Sequence, residues 1–116
     1  MGYVKKFDLE ERTLVFAKKV SRFVNELPRT VSNLENGKQL VRSAGSVGAN
    51  YIEANECLGK KDFLMRIKIS RKEAKESSFW INLIDPKDGY VDEKAWLLNE
   101  SVELTKIFGA IFRKSV

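Results

Sequence analysis

Two sets of polar residues in this chain of 116 residues recur at spacings that a helix would bring to one side. Gln39, Ser43, Ser46, Asn50 and Glu53 form the first row, a set of hydroxyl, amide and carboxylate groups that could hold a ligand, build an active site or satisfy one another. Arg66, Ser70, Glu73 and Ser77 form a comparable row further on, flanked by Phe63, Ile67, Ala74 and Ile81. Facing rows of this kind can pair fully, and a paired network sets register between helices as a polar core position does in a coiled coil. Gln39, Ser43, Ser46, Asn50, Glu53, Ser70 and Glu73 are therefore expected to serve structure, between helices or against a neighbouring subunit, ahead of catalysis.

The second set is basic. Lys61, Lys68, Lys72 and Lys75 fall within about 60° of one another on a helical wheel, with Arg71 adjacent and Asp62, Glu73 and Glu76 on the far side. Phe79 lies in line with them, while Lys18 and Arg22 point away from the apolar side of an earlier segment. One-sided cations can neutralise phosphates along a nucleic-acid backbone without reading bases. The competing expectation is a solvated helix face. Arg66, four residues after Asp62, reads as an ion-pair partner of that carboxylate. Trp80 and Trp96 read as core or interface aromatics rather than platforms for bases.

Composition narrows the chemistry further. The net charge of +5 and pI near 9.4 favour an anionic partner. Small soluble domains commonly carry a charge of about 2 to 8 in magnitude, so the distribution matters more than the total. There is no histidine and one cysteine, Cys57. That excludes an internal disulfide, the usual zinc ligand sets and histidine-dependent nucleophiles. A carboxylate-dependent nuclease would need clustered acids for a metal, and the acids here are scattered or beside basic groups. We expect no catalytic residues, cofactor or metal. No apolar run approaches the roughly 20 residues that span a bilayer, and no apolar signal core follows Lys5 and Lys6, so no membrane partner and a cytoplasmic location are expected.

Four amphipathic segments must position these residues. The first spans about 8–27, with Leu9, Thr13, Phe16, Ala17, Val20, Phe23, Val24 and Leu27 at helical spacing, Asp8 and Glu11 as a cap and Pro28 as a stop. The second spans about 36–58 and closes on Gly59 as a left-handed residue, although Ser32 with Glu35 offers an earlier capping box. The third spans about 60–84 and ends on the turn signals of Asp85 to Gly89. The fourth spans about 92–114, with Asp92 as cap and Val91 and Trp96 as a hydrophobic staple. Short links between long helices predict one all-α domain over 1–116, an antiparallel up-down-up-down four-helix bundle. In the second segment Val41, Gly45, Gly48 and Ile52 form a further stripe. Interior glycines cost about 1 kcal/mol each relative to alanine, so a second backbone is expected close by, in the core or in a neighbouring subunit.

The run Gln39-Leu40-Val41-Arg42-Ser43-Ala44-Gly45-Ser46-Val47-Gly48-Ala49-Asn50-Tyr51-Ile52-Glu53-Ala54 resembles the signature of the four-helix-bundle family that includes proteins encoded in 23S rRNA intervening sequences. The likeness extends to Arg12-Thr13, to the Val24-Asn25-Glu26-Leu27-Pro28 ending, and to Lys61-Asp62-Phe63 and Ser70 with Glu73. Where that family often has glycine after the glutamate, this chain has Ala54. The resemblance implies a bacterial homopentamer. It also implies kinship with the accessory protein of diversity-generating retroelements, a basic binder of nucleic acid that contacts a reverse transcriptase. Two expectations follow: an oligomeric, non-enzymatic binder of RNA or DNA, or an oligomeric scaffold for an acidic protein partner such as a reverse transcriptase.

Overall fold

The computed structural model describes residues 6–116, with side chains from Asp8 onward; Lys5 and the side chain of Lys6 lie outside the described residues. Four helices follow one another, α1 (Lys6–Asn25), α2 (Val31–Asn55), α3 (Lys60–Leu83) and α4 (Val91–Ser115), with no strand among the described residues. Residue numbers run in opposite senses across every packed pair. Glu10 meets Asn55 where Val24 meets Gly37, Ser43 meets Ser77 where Asn50 meets Arg66, and Lys68 meets Phe112 where Ser78 meets Ser101. Each helix is thus antiparallel to the next. The two long α2 and α4 helices, of 25 residues each, span about 37 Å of the 45 Å long axis.

The core runs the length of the bundle. Leu9, Phe16, Val20 and Phe23 enter from α1, Leu40, Val47 and Tyr51 from α2, Ile67 and Ile81 from α3, and Leu97, Leu104 and Phe108 from α4. Tyr51 meets Phe108 edge to face, with centroids 5.5 Å apart. Burial pushes the Tyr51 phenol above its ordinary value, with Asn55 opposing the shift and Glu10 adding to it. At the α1–α4 edge, Arg12 donates two hydrogen bonds to the Glu100 carboxylate, at 2.8 and 2.9 Å. Those bonds hold the guanidinium pKa above its usual value against the opposing effect of burial.

Several helix ends differ from the sequence expectation. α1 starts before Asp8, which lies in its first turn rather than at its cap. α2 starts at Val31 because Thr30 accepts the Asn33 amide as a side-chain cap. Asn33 is itself buried, donating to the Pro28 and Asp85 carbonyls and accepting from the Asp85 amide, so it ties the α1–α2 and α3–α4 loops together. α2 ends at Asn55, and Gly59 does not close it: with φ −117° it caps the start of α3 instead. Tyr90, not Asp92, precedes α4, and Val91 and Trp96 are 62% and 42% exposed, so they form no staple. Gly89, at φ 92°, supplies the left-handed turn before α4.

The two α2 glycines have different roles. A Cβ on Gly48 would lie 2.8 Å from Thr13 Oγ1 and 3.1 Å from its Cβ, so Gly48 lets α1 approach. Gly45 faces open space, with nothing within 4 Å of a Cβ there. Gly48→Ala should therefore destabilise the chain by about 1 to 3 kcal/mol through overpacking. Gly45→Ala should not, and should gain up to about 1 kcal/mol of helix propensity; urea unfolding of both variants checks the contrast. A second expectation concerns alkali. The neutral Tyr51 phenol is favoured on folding, so its contribution is whole below about pH 10 and is lost as pH rises toward the higher folded value. Tyr51→Phe should flatten the loss of stability above pH 10 in an alkaline unfolding series.

Candidate nucleic-acid interface

Short side chains let α2 and α3 approach closely, and this fixes which side of α3 faces water. Ala44, Val47, Ser43, Ser70, Ala74 and Ser77 are all buried. Ser43 and Ser77 share a hydrogen bond of 2.9 Å, and Ser70 donates across to the Val47 carbonyl at 2.9 Å. Ser77 also reaches the Glu73 carbonyl. Further along, Asn50 accepts from Arg66 at 2.8 Å and donates to the Ser46 carbonyl. Arg66 therefore turns to Asn50, and no ion pair with Asp62 forms, which corrects the sequence reading of that arginine.

The remaining polar residues divide. Gln39 accepts from Arg42, whose guanidinium reaches Glu76, and Glu76 also accepts from the Trp80 indole at 3.0 Å. Glu53 is exposed and makes no side-chain bond to α3, while Glu73 is buried with one carboxylate oxygen lacking a partner. Nothing in this seam aligns a nucleophile with a base. Among the described residues no three acidic or thiol groups converge as a metal site.

The opposite side of α3 carries the strip. Lys61, Lys68, Arg71, Lys72 and Lys75 are all exposed, and none takes part in an ion pair among the described residues. Lys68, Arg71, Lys72 and Lys75 line one shallow groove with Met65, Ile69, Glu76 and Phe79, and Lys61 lies two turns beyond it. Phe79 is 57% exposed and stands edge-on to Trp80, with centroids 4.9 Å apart. Lys68 lies over Phe112 at 5.9 Å, and Arg71 leans onto Gly109, so the strip tilts toward α4.

Lys18 and Arg22 do not join this surface. They are exposed on α1, which packs against α2 and α4 but not α3, so they stand at the diagonal corner of the bundle. Arg22 lines a separate cleft with Lys19, Glu26, Tyr90, Glu93 and Trp96. There Lys19 sits 5.0 Å over the Trp96 ring and Lys87 pairs with Glu26 at 3.0 Å. That ion pair lowers the Glu26 pKa and raises that of Lys87. The sequence reading also missed Arg113 beside Arg71; the signal was Gly109, an interior glycine within the buried side of α4.

A family model described as 23S rRNA-intervening sequence protein matches residues 5–110. Among solved structures, the chain is similar to a protein of unknown function from the S23 ribosomal protein family of Bacteroides thetaiotaomicron VPI-5482. The two share 26% identity and a TM-score of 0.78, over 95% of this chain and 99% of that one. No curated protein matches the chain.

The seam makes a graded expectation. Asn50→Leu strands the Arg66 guanidinium and should cost about 1 to 3 kcal/mol. Ser43→Ala leaves Ser77 bonded to the Glu73 carbonyl and should cost about 0.5 to 1.5 kcal/mol. Thermal melting with sedimentation of both variants checks the order; equal melting of Asn50→Leu and the parent would contradict the pairing argument.

Proposed function

The chain belongs to the 23S rRNA-intervening sequence protein family, and on that premise we propose that it acts without catalysis, as a homo-oligomer that binds nucleic acid through α3 with little preference for sequence. One observation carries this reading: five neighbouring cations, Lys61, Lys68, Arg71, Lys72 and Lys75, face solvent with no carboxylate paired to any of them. Strips of this kind track phosphates and do not discriminate bases. Phe79 adds an exposed ring in the same groove, where a base can stack.

Assembly belongs to the same proposal. α2 exposes Leu34, Val41 and Ile52, at 43%, 41% and 48%, on one stripe with Gly45, and an oligomer of five copies would cover it. The stripe leans toward α1, where Gly48 meets Thr13, whereas the α3 strip leans toward α4. Self-contact through α2 therefore leaves the cations open, and each copy adds +5 to the particle.

A second reading is favoured by the apolar residues of the groove. Met65, Ile69 and Phe79 between lysines also suit an amphipathic acidic helix of a protein partner, such as a reverse transcriptase. A mobility-shift titration with RNA, single-stranded DNA and duplex DNA separates the two. Four neutralised phosphates predict about a hundredfold loss of affinity between 50 and 200 mM salt. Changing Lys61, Lys68, Lys72 and Lys75 together to Glu should abolish the shift. Absence of binding at low salt would turn the assignment to the protein scaffold. Light scattering should give a multiple of the 13.3 kDa chain, and Ile52→Glu should reduce it to a single copy.

A further inference from the structure

Gly109 lies inside α4, where a glycine costs helix stability, and two arginine side chains crowd the position its missing side chain would take. A Cβ at this position would stand 3.3 Å from Arg71 Nε and 3.3 Å from an Arg113 terminal nitrogen, with Arg71 Cδ at 3.6 Å. Two guanidinium groups from different helices thus close on one point. They are like charges, and no carboxylate pairs with either among the described residues. Lys68 brings a third cation to the adjacent turn, over Phe112. Even a methyl group here would press on both guanidinium groups and make them give by a few tenths of an ångström, so the glycine keeps the two unpaired arginines at their closest.

We propose that Arg71 and Arg113, seated on Gly109, form a discrete phosphodiester site that anchors one backbone phosphate of the bound nucleic acid. This rests on the nucleic-acid reading and refines it. Guanidinium groups approach phosphate oxygens in pairs of parallel bonds, which lysine cannot reproduce as a point charge. Each nitrogen lies 3.3 Å from the same point, so the two are at most about 6.6 Å apart (twice 3.3 Å), within the span that the oxygens of one phosphate can bridge. The α3 lysines then hold flanking phosphates by charge, and the arginine pair sets where along the strand the protein sits. The C-terminal turn of α4 also attracts cations, and Arg113 and Lys114 both stand there. That attraction accounts for Arg113 alone and supplies no reason for Arg71 to join it.

The test uses charge-preserving variants of the full chain, Arg71→Lys and Arg113→Lys, each checked for an unchanged melting temperature. Affinity for a single-stranded oligothymidylate is measured by fluorescence anisotropy, and the arginine Nε–H resonances are followed by NMR during titration with inorganic pyrophosphate. Each variant should bind the oligonucleotide about tenfold more weakly although its charge is the same, and both resonances should shift together with pyrophosphate. Parent-like affinity in both variants would overturn the site while leaving the lysine strip as the binding surface. If the parent binds no oligonucleotide, the nucleic-acid reading fails, and with it the assignment of this site to a phosphodiester strand; a joint shift with pyrophosphate would then mark a site for a free phosphate only. Gly109→Val, which forces the arginines apart, should mimic the lysine variants; retained tight binding would count against the site.

Discussion

The close approach of α2 and α3 is the constraint from which the rest of the surface follows. Serine and alanine at the seam allow a hydroxyl on one helix to reach a backbone carbonyl on the other, as Ser70 does to Val47. Longer side chains would hold the backbones apart and break both cross-helix serine bonds. A buried hydroxyl left without a partner costs about 1 to 3 kcal/mol, so a register slip along this seam would strand several groups at once. The register in turn sets the rotation of α3 about its axis. With Ser70, Ala74 and Ser77 facing inward, the lysines of the same helix can only face water.

Charge pairing then decides where the positive potential lies. Four of the better placed carboxylates are engaged by cations away from the strip: Glu100 by Arg12, Glu76 by Arg42, Glu26 by Lys87 and Glu103 by Lys106. Apart from the half-buried pair of Arg12 with Glu100, these are exposed pairs that contribute little stability, typically under about 1 kcal/mol. Their larger consequence is spatial. Glu76 is the single acid lining the α3 groove, and it is held on the α2 side by Arg42 and Trp80. The outward lysines are left without an internal counter-charge, so α3 presents a row of uncompensated cations to solvent.

Much of this was legible in the sequence wherever periodicity alone decides. The spacing of Ser43, Asn50, Ser70 and Ser77 marked a polar seam before any partner was known, and the wheel position of Lys68, Lys72 and Lys75 marked an exposed strip. Features that depend on contacts between distant segments were not legible. Asn33 falls between the first two segments, and its role was hidden because its partner Asp85 lies 52 residues away and reaches it only when the bundle closes. Gly59 has the right type for a left-handed helix end, yet α2 had already stopped at Asn55, so the residue was free to start α3. Lys18 and Arg22 share the chemistry of the α3 lysines, but a helical wheel carries no information about which corner of a bundle a helix occupies.

Gly109 shows the same limit from the other side. On a wheel it is a weak point in the α4 repeat, and the sequence offers no reason for it. A reason lies in two side chains that approach it from α3 and from the next turn of α4 and would press on a Cβ there, at 3.3 Å. Gly48 is crowded in a similar way by Thr13, with a purely structural result. The difference between the two glycines is the charge of what fills them. Thr13 closes a helix contact, whereas the two guanidinium groups beside Gly109 repel each other and have no carboxylate partner among the described residues.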